Sequence, residues 1–125
     1  MAKVQILVLG NDAFADKLGT ELKREDIPHN IDQDINTGRV YDWCICPPHA
    51  DIINKVKTIA CGTRIMVFNG VQMSNQILKS LVRLRIAGFI ENHDDPAEAV
   101  AVIRQTARAK EKVSRISQKI LALTA

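Results

Sequence analysis

No apolar run in this chain approaches the roughly 20 residues that a membrane-spanning helix requires. That excludes membrane insertion by such a helix. Cysteine is scarce and odd in number; three residues make no disulfide framework and fit a reducing compartment. The start, Met-Ala-Lys-Val, lacks a secretory hydrophobic region, so the expected location is the cytoplasm. Neither G-x-G-x-x-G nor G-x-x-x-x-G-K occurs, which argues against a nucleotide enzyme. No G-x-S-x-G is present, so no serine nucleophile sits on a strand-to-helix elbow. There is no internal repeat, no low-complexity tract and no linker within residues 1–95.

What remains is ordinary for a globular domain. The 125 residues are 46% hydrophobic and 25% charged, enough for one domain with a real core. Lys3 to Gly10 reads as a strand covered on both faces, because Val, Ile and Leu run almost without interruption. Asp12 to Arg24 follows with Phe14, Leu18 and Leu22 on one helical face, and Asn11 or Asp12 suits its N-cap. His29 to Ile31 reads as a polar edge strand, and Asp32 to Arg39 as a short helix or a loop. Tyr41 to Cys46 is a strand stopped by Pro47-Pro48. A helix from Ala50 to Ile59, a strand from Arg64 to Phe68 and a turn at Asn69-Gly70 come next. Ser74 caps a helix carrying Ile77, Leu78, Leu81, Val82 and Ile86. Phe89 to Glu91 is a fifth strand, and Asp94 or Asp95 caps a final helix with Pro96 in its first turn. Five alternations of strand and helix predict an α/β fold: an open parallel sheet with helices on both faces.

The last helix is too long for that purpose alone. It continues without Gly or Pro to the end, whereas a globular helix averages about 11 residues. Val102, Thr106, Ala109, Val113, Ile116, Ile120 and Leu123 are spaced 4, 3, 4, 3, 4, 3, a heptad seam whose second half is the stronger. With Thr106 at position a, a parallel self-pair matches Gln105 with Lys110, Lys112 with Ser117 and Lys119 with Thr124, without a clash of like charge. An antiparallel pair can bring Lys112 to Lys119. The seam therefore points to a homodimer or to another signalling protein through Val113, Ile116, Ile120 and Leu123. The competing reading is a helix that packs on its own sheet up to about Arg108 and then frays. The helix is also basic, which admits nucleic acid, although no aromatic residue lies in it for stacking on bases.

The order and lengths of the elements, with Gly88-Phe89 opening the fifth strand, resemble the receiver domain of bacterial response regulators, of flavodoxin-like topology. The resemblance covers residues 3 to about 108; residues 1–108 form the receiver-like domain, and 109–125 extend its last helix as a candidate coiled coil. The family's phosphorylation pattern fails in this chain. An acidic pair for Mg²⁺ belongs at the end of the first strand, where Gly10-Asn11-Asp12 stands. The phosphoacceptor Asp falls on Cys46 or Pro47. Phe68-Asn69 replaces Thr or Ser, and Asn92-His93 replaces Lys followed by Pro. Phosphoryl transfer needs nucleophile and metal together. The resemblance thus implies a pseudo-receiver: not an enzyme, without cofactor or metal, acting through protein contacts. Family members often use the face made by the helix from Ser74, the fifth strand and the last helix. Antiterminators that pair a pseudo-receiver with a coiled coil supply the nucleic-acid alternative.

Three side-chain groupings complete the reading. Cys44 and Cys46 share one strand face, with His49 and Cys61 nearby; buried core thiols outweigh a zinc set, because zinc sites prefer C-x₂₋₄-C turns. Cys46 is the residue on which a thiol-based redox protein would rest. Asp12, Asp32, Asp34, Asp42 and Glu91 read as surface carboxylates and caps rather than acid/base pairs.

Overall fold

The structure is a computed structural model that describes residues 2–69 and 74–124, with the backbone alone at Thr124. Gly70 of the expected Asn69-Gly70 turn lies outside the described residues.

Five strands form one parallel sheet in the order β2-β1-β3-β4-β5: β1 (Val4–Val8), β2 (His29–Asp32), β3 (Trp43–Cys46), β4 (Arg64–Phe68) and β5 (Gly88–Ile90). Side chains alternate across it. Val4, Ile6, Val8, Trp43, Ile45, Met66 and Phe68 face one way. Helix α1 (Asp12–Arg24) covers them with Phe14, Leu18 and Leu22, and helix α4 (Ala97–Thr124) with Ala99, Val100 and Ile103. Leu7, Cys44, Cys46, Ile65 and Val67 face the other way, under Ile53 and Val56 of α2 (Ala50–Ile59) and Leu81 of α3 (Asn75–Arg83). Both faces are covered, as the unbroken apolar strands require.

The caps follow the sequence. Asn11 Oδ1 accepts from the Phe14 N–H (3.0 Å), and Ser74 Oγ from that of Ile77 (3.3 Å). Asp95 Oδ1 accepts from the Ala97 N–H (3.0 Å), and Pro96 supplies the carbonyl for the Val100 N–H (2.8 Å).

The bounds of some elements differ from expectation; β5, for one, is Gly88–Ile90 rather than Phe89 to Glu91. β3 begins at Trp43 rather than Tyr41, although the Asp42 N–H still donates to the Gln5 carbonyl of β1 (2.8 Å) and its carbonyl accepts from the Arg64 N–H of β4 (3.2 Å). Of the two readings for Asp32 to Arg39, the loop is the one observed: residues 33–42 form turns and bends. Tyr41 Oη, which donates to Asp32 Oδ2 (2.5 Å) and accepts from the Asn36 N–H (3.0 Å), folds that segment onto the sheet edge. α3 ends at Arg83, short of Ile86. Arg85 takes the left-handed conformation (φ +57°), and the Lys57 ammonium donates to the freed Leu84 carbonyl.

Candidate functional site

In an open parallel sheet, ligands bind beyond the carboxyl ends of the strands, where the strand order reverses. For the order β2-β1-β3-β4-β5 that point lies between β1 and β3. Gly10 leaves β1 there with φ +78°, and Pro47 leaves β3 beside it. A Cβ on Gly10 would stand 2.8 Å from Pro47 Cγ and 3.2 Å from its Cδ. The Leu9 N–H donates to the Ile45 carbonyl (2.9 Å), so the two strands stay joined up to this rim. The proline ring occupies the place in which a crevice would open.

The next two strand ends are also filled. Phe68 is buried, with its ring 5.0 Å from that of Phe14 at 85° and 5.1 Å from that of His93 at 59°. His93 Nε2 donates to the Asn69 carbonyl (2.8 Å), which places the imidazole proton on Nε2. Asn69 Nδ2 donates to Glu91 Oε2 (2.7 Å). Asn92 turns away from this group, its Oδ1 accepting from the Asp94 N–H (2.9 Å). Asp12 is exposed at the start of α1. Of the residues flagged in sequence, the structure thus joins Gly10 to Pro47, and Phe68 and Asn69 to His93. Phe14 completes the aromatic group; its regular helical spacing had marked it only as core.

Cys46 is fully buried and faces the α2 and α3 side with Cys44. The hydrogen bond to Cys46, together with burial, pushes the Cys44 thiol well above its ordinary range. Cys61 is exposed. Among the described residues, no three His, Cys, Asp or Glu side chains converge to hold a metal ion.

The second candidate surface is the far end of α4. Trp43 Nε1 donates to Thr106 Oγ1 (2.8 Å), which donates to the Val102 carbonyl (2.9 Å). Lys110 Nζ lies 2.7 Å from Asp42 Oδ2 and donates to the Lys3 carbonyl (3.1 Å); Arg104 pairs with Glu25. These contacts take the upper half of the heptad seam into the domain's own structure. From Glu111 to Leu123 every residue is exposed, about 20 Å of helix at 1.5 Å per residue. Val113 is 63% exposed, Ile116 48%, Ile120 56% and Leu123 85%. The polar clasps at Trp43 and Asp42 had no signature in the sequence.

No protein-family model and no curated protein sequence matches the chain. Solved structures do. A receiver domain protein from Methanospirillum hungatei superposes with TM-score 0.64 at 13% identity, over 89% of this chain and 98% of that one. A response regulator from Burkholderia pseudomallei, solved with a phosphorylated aspartic acid and a calcium ion, gives 0.61 at 14%, over 92% and 75%. The chain has the receiver fold. A Rhodopirellula baltica protein described as an adenylate cyclase gives 0.63 at 10%, over 95% and 98%. At such identities these likenesses carry the receiver fold alone. No helix among the described residues is long and apolar enough to cross a membrane.

Proposed function

We propose that this chain is a non-catalytic signalling module, a pseudo-receiver that works in the cytoplasm by protein–protein contact without phosphorylation and pairs with a second copy through the end of α4. The observation that carries the reading is Pro47 seated against Gly10 at the switch point of the sheet. Phosphoryl transfer to a receiver needs a carboxylate nucleophile beside a metal. Here that place holds a proline ring and a buried, inward-facing thiol, and the neighbouring strand end holds Phe68 under His93. The exposed seam from Val113 to Leu123 supports contact with a partner helix.

The test is incubation with Mg²⁺ and a small phosphodonor, read by intact mass. An unchanged mass is expected. An acid-stable, base-labile phosphate on an Asp would sink the phosphorylation-independent reading. Light scattering on the same samples reports pairing separately.

A further inference from the structure

The net charge of the chain is +3, and α4 supplies all of it: six Lys and Arg against two Glu, while the other residues carry eleven cations and twelve acids. Within α4 the cations are ordered. Arg108, Lys112, Arg115 and Lys119 are spaced 4, 3, 4, which at 3.6 residues per turn places them within about 60° of one another on one ridge. The ridge is exposed along its length. Its centre lies about 90° around the helix from the Val113–Leu123 seam, and Lys112 and Lys119 are the ridge residues that border that seam. Glu111 holds Arg115 (2.7 Å); Glu25 and Asp26 line the adjoining groove, and Glu25 is taken by Arg104.

We infer that this ridge binds the phosphate backbone of double-stranded DNA without regard to sequence. Four cations in line on a rigid rod neutralise successive phosphates and release their counterions. The projecting part of α4 is a bare helix, about 10–12 Å across, and the DNA major groove is about 12 Å wide. The major groove of an RNA duplex is deep and narrow and does not take such an element. Single strands are held by stacking on aromatic rings, and α4 has none. Entry into the groove needs a single helix, so the inference concerns the unpaired chain, and pairing through the seam competes with it.

The experiment uses the full chain and a fluorescent mixed-sequence duplex, titrated at several salt concentrations. With three to four cations engaged, affinity is expected to fall about 40- to 150-fold between 50 and 200 mM salt. The variant Arg108→Gln/Lys112→Gln/Arg115→Gln/Lys119→Gln is expected to lose binding at least tenfold with an unchanged circular dichroism spectrum. A control, Lys79→Gln/Arg83→Gln/Arg85→Gln on and just beyond α3, is expected to bind as the parent does. Salt-independent binding, or equal loss in both variants, overturns the inference. So does a single strand that binds more tightly than the duplex. Binding to phosphatidylserine vesicles in place of the duplex overturns it too, by assigning the ridge to a lipid surface. Light scattering of the variant keeps this result apart from any change in pairing.

Discussion

Pro47 Cγ lies where a side chain on Gly10 would have to begin, 2.8 Å from the position of its Cβ. Gly10 also holds φ +78°, a conformation that side chains rarely adopt. Two constraints thus meet at one residue, and they are separable. Gly10→Ala is expected to destabilise the fold by about 2 kcal/mol in urea unfolding. Pro47→Ala in the same background should restore part of the loss, because it removes the clash and leaves the backbone strain. A strictly additive pair would show that the two residues do not press on each other.

Thiol reactivity separates a signalling module from a redox protein. Cys44 and Cys46 are fully buried among Leu7, Ile53, Val56 and Val67, whereas Cys61 is exposed. A thiolate must form and be reached before it reacts. One of the three thiols should therefore react promptly with a disulfide reagent in the native protein, and the other two only on unfolding. Prompt modification of Cys46 would revive the redox reading.

The fold was legible because both sheet faces are covered. That forces continuous apolar strands such as Val4–Val8, and the turns at Gly10, Pro47-Pro48 and Gly62 punctuate them. The site positions were legible as departures from a known pattern, since each falls at a strand end. What joins them was not. Nothing in the spacing of Phe14, Phe68 and His93 announces that three rings from separate segments meet, edge to face and tilted, because that contact is made by tertiary packing. The seam shows the same limit. Its period runs unbroken from Val102 to Leu123, yet Thr106 is taken by Trp43 and Lys110 by Asp42. Periodicity gives a face, not the partner that covers it.

Tyr41 is the chain's one tyrosine, so its titration can be assigned without ambiguity. Burial, and then the hydrogen bond it gives Asp32, raise its phenol above the ordinary value of 10.0. The neutral phenol is the form the fold prefers. Its contribution is therefore complete below pH 10 and is lost as pH rises through the higher folded value. The tyrosinate absorbance should appear later in the native protein than in urea. Tyr41→Phe should cost about 1–2 kcal/mol, leaving Asp32 and the Asn36 N–H without this partner.

The clasps on α4 are measurable through Trp43, the single tryptophan. Thr106→Val keeps the shape but removes the acceptor, so the indole N–H, on a residue only 5% exposed, loses its partner. A cost of about 1–2 kcal/mol and a shift of the emission maximum are expected. Asp42→Asn removes the charge facing Lys110, at about 1 kcal/mol, with less effect at high salt. If neither substitution moves the emission, the two clasps do not hold α4, which then rests on Ala99, Val100 and Ile103 and on the Arg104–Glu25 pair.

The proposed pairing of α4 has to be small. Four seam positions from Val113 to Leu123 make about two heptads, fewer than the three or four that sustain a coiled coil unaided. The helix is already formed and anchored by its docked half, however, so pairing bears no nucleation cost. A weak, exchanging dimer is the expected result, evident in light scattering only at high concentration. Ile116→Lys should abolish it with little change in the melting temperature, since Ile116 belongs to neither core cluster. Orientation can be read by cross-linking in a Cys61→Ser background. Val113→Cys meets its own copy in a parallel pair, whereas in an antiparallel pair it lies opposite Leu123, about 15 Å further along the helix. Oxidation to a covalent dimer in the first case, and its failure where light scattering still reports a dimer, decides between the two. The parallel form is expected, because the antiparallel one sets Lys112 against Lys119.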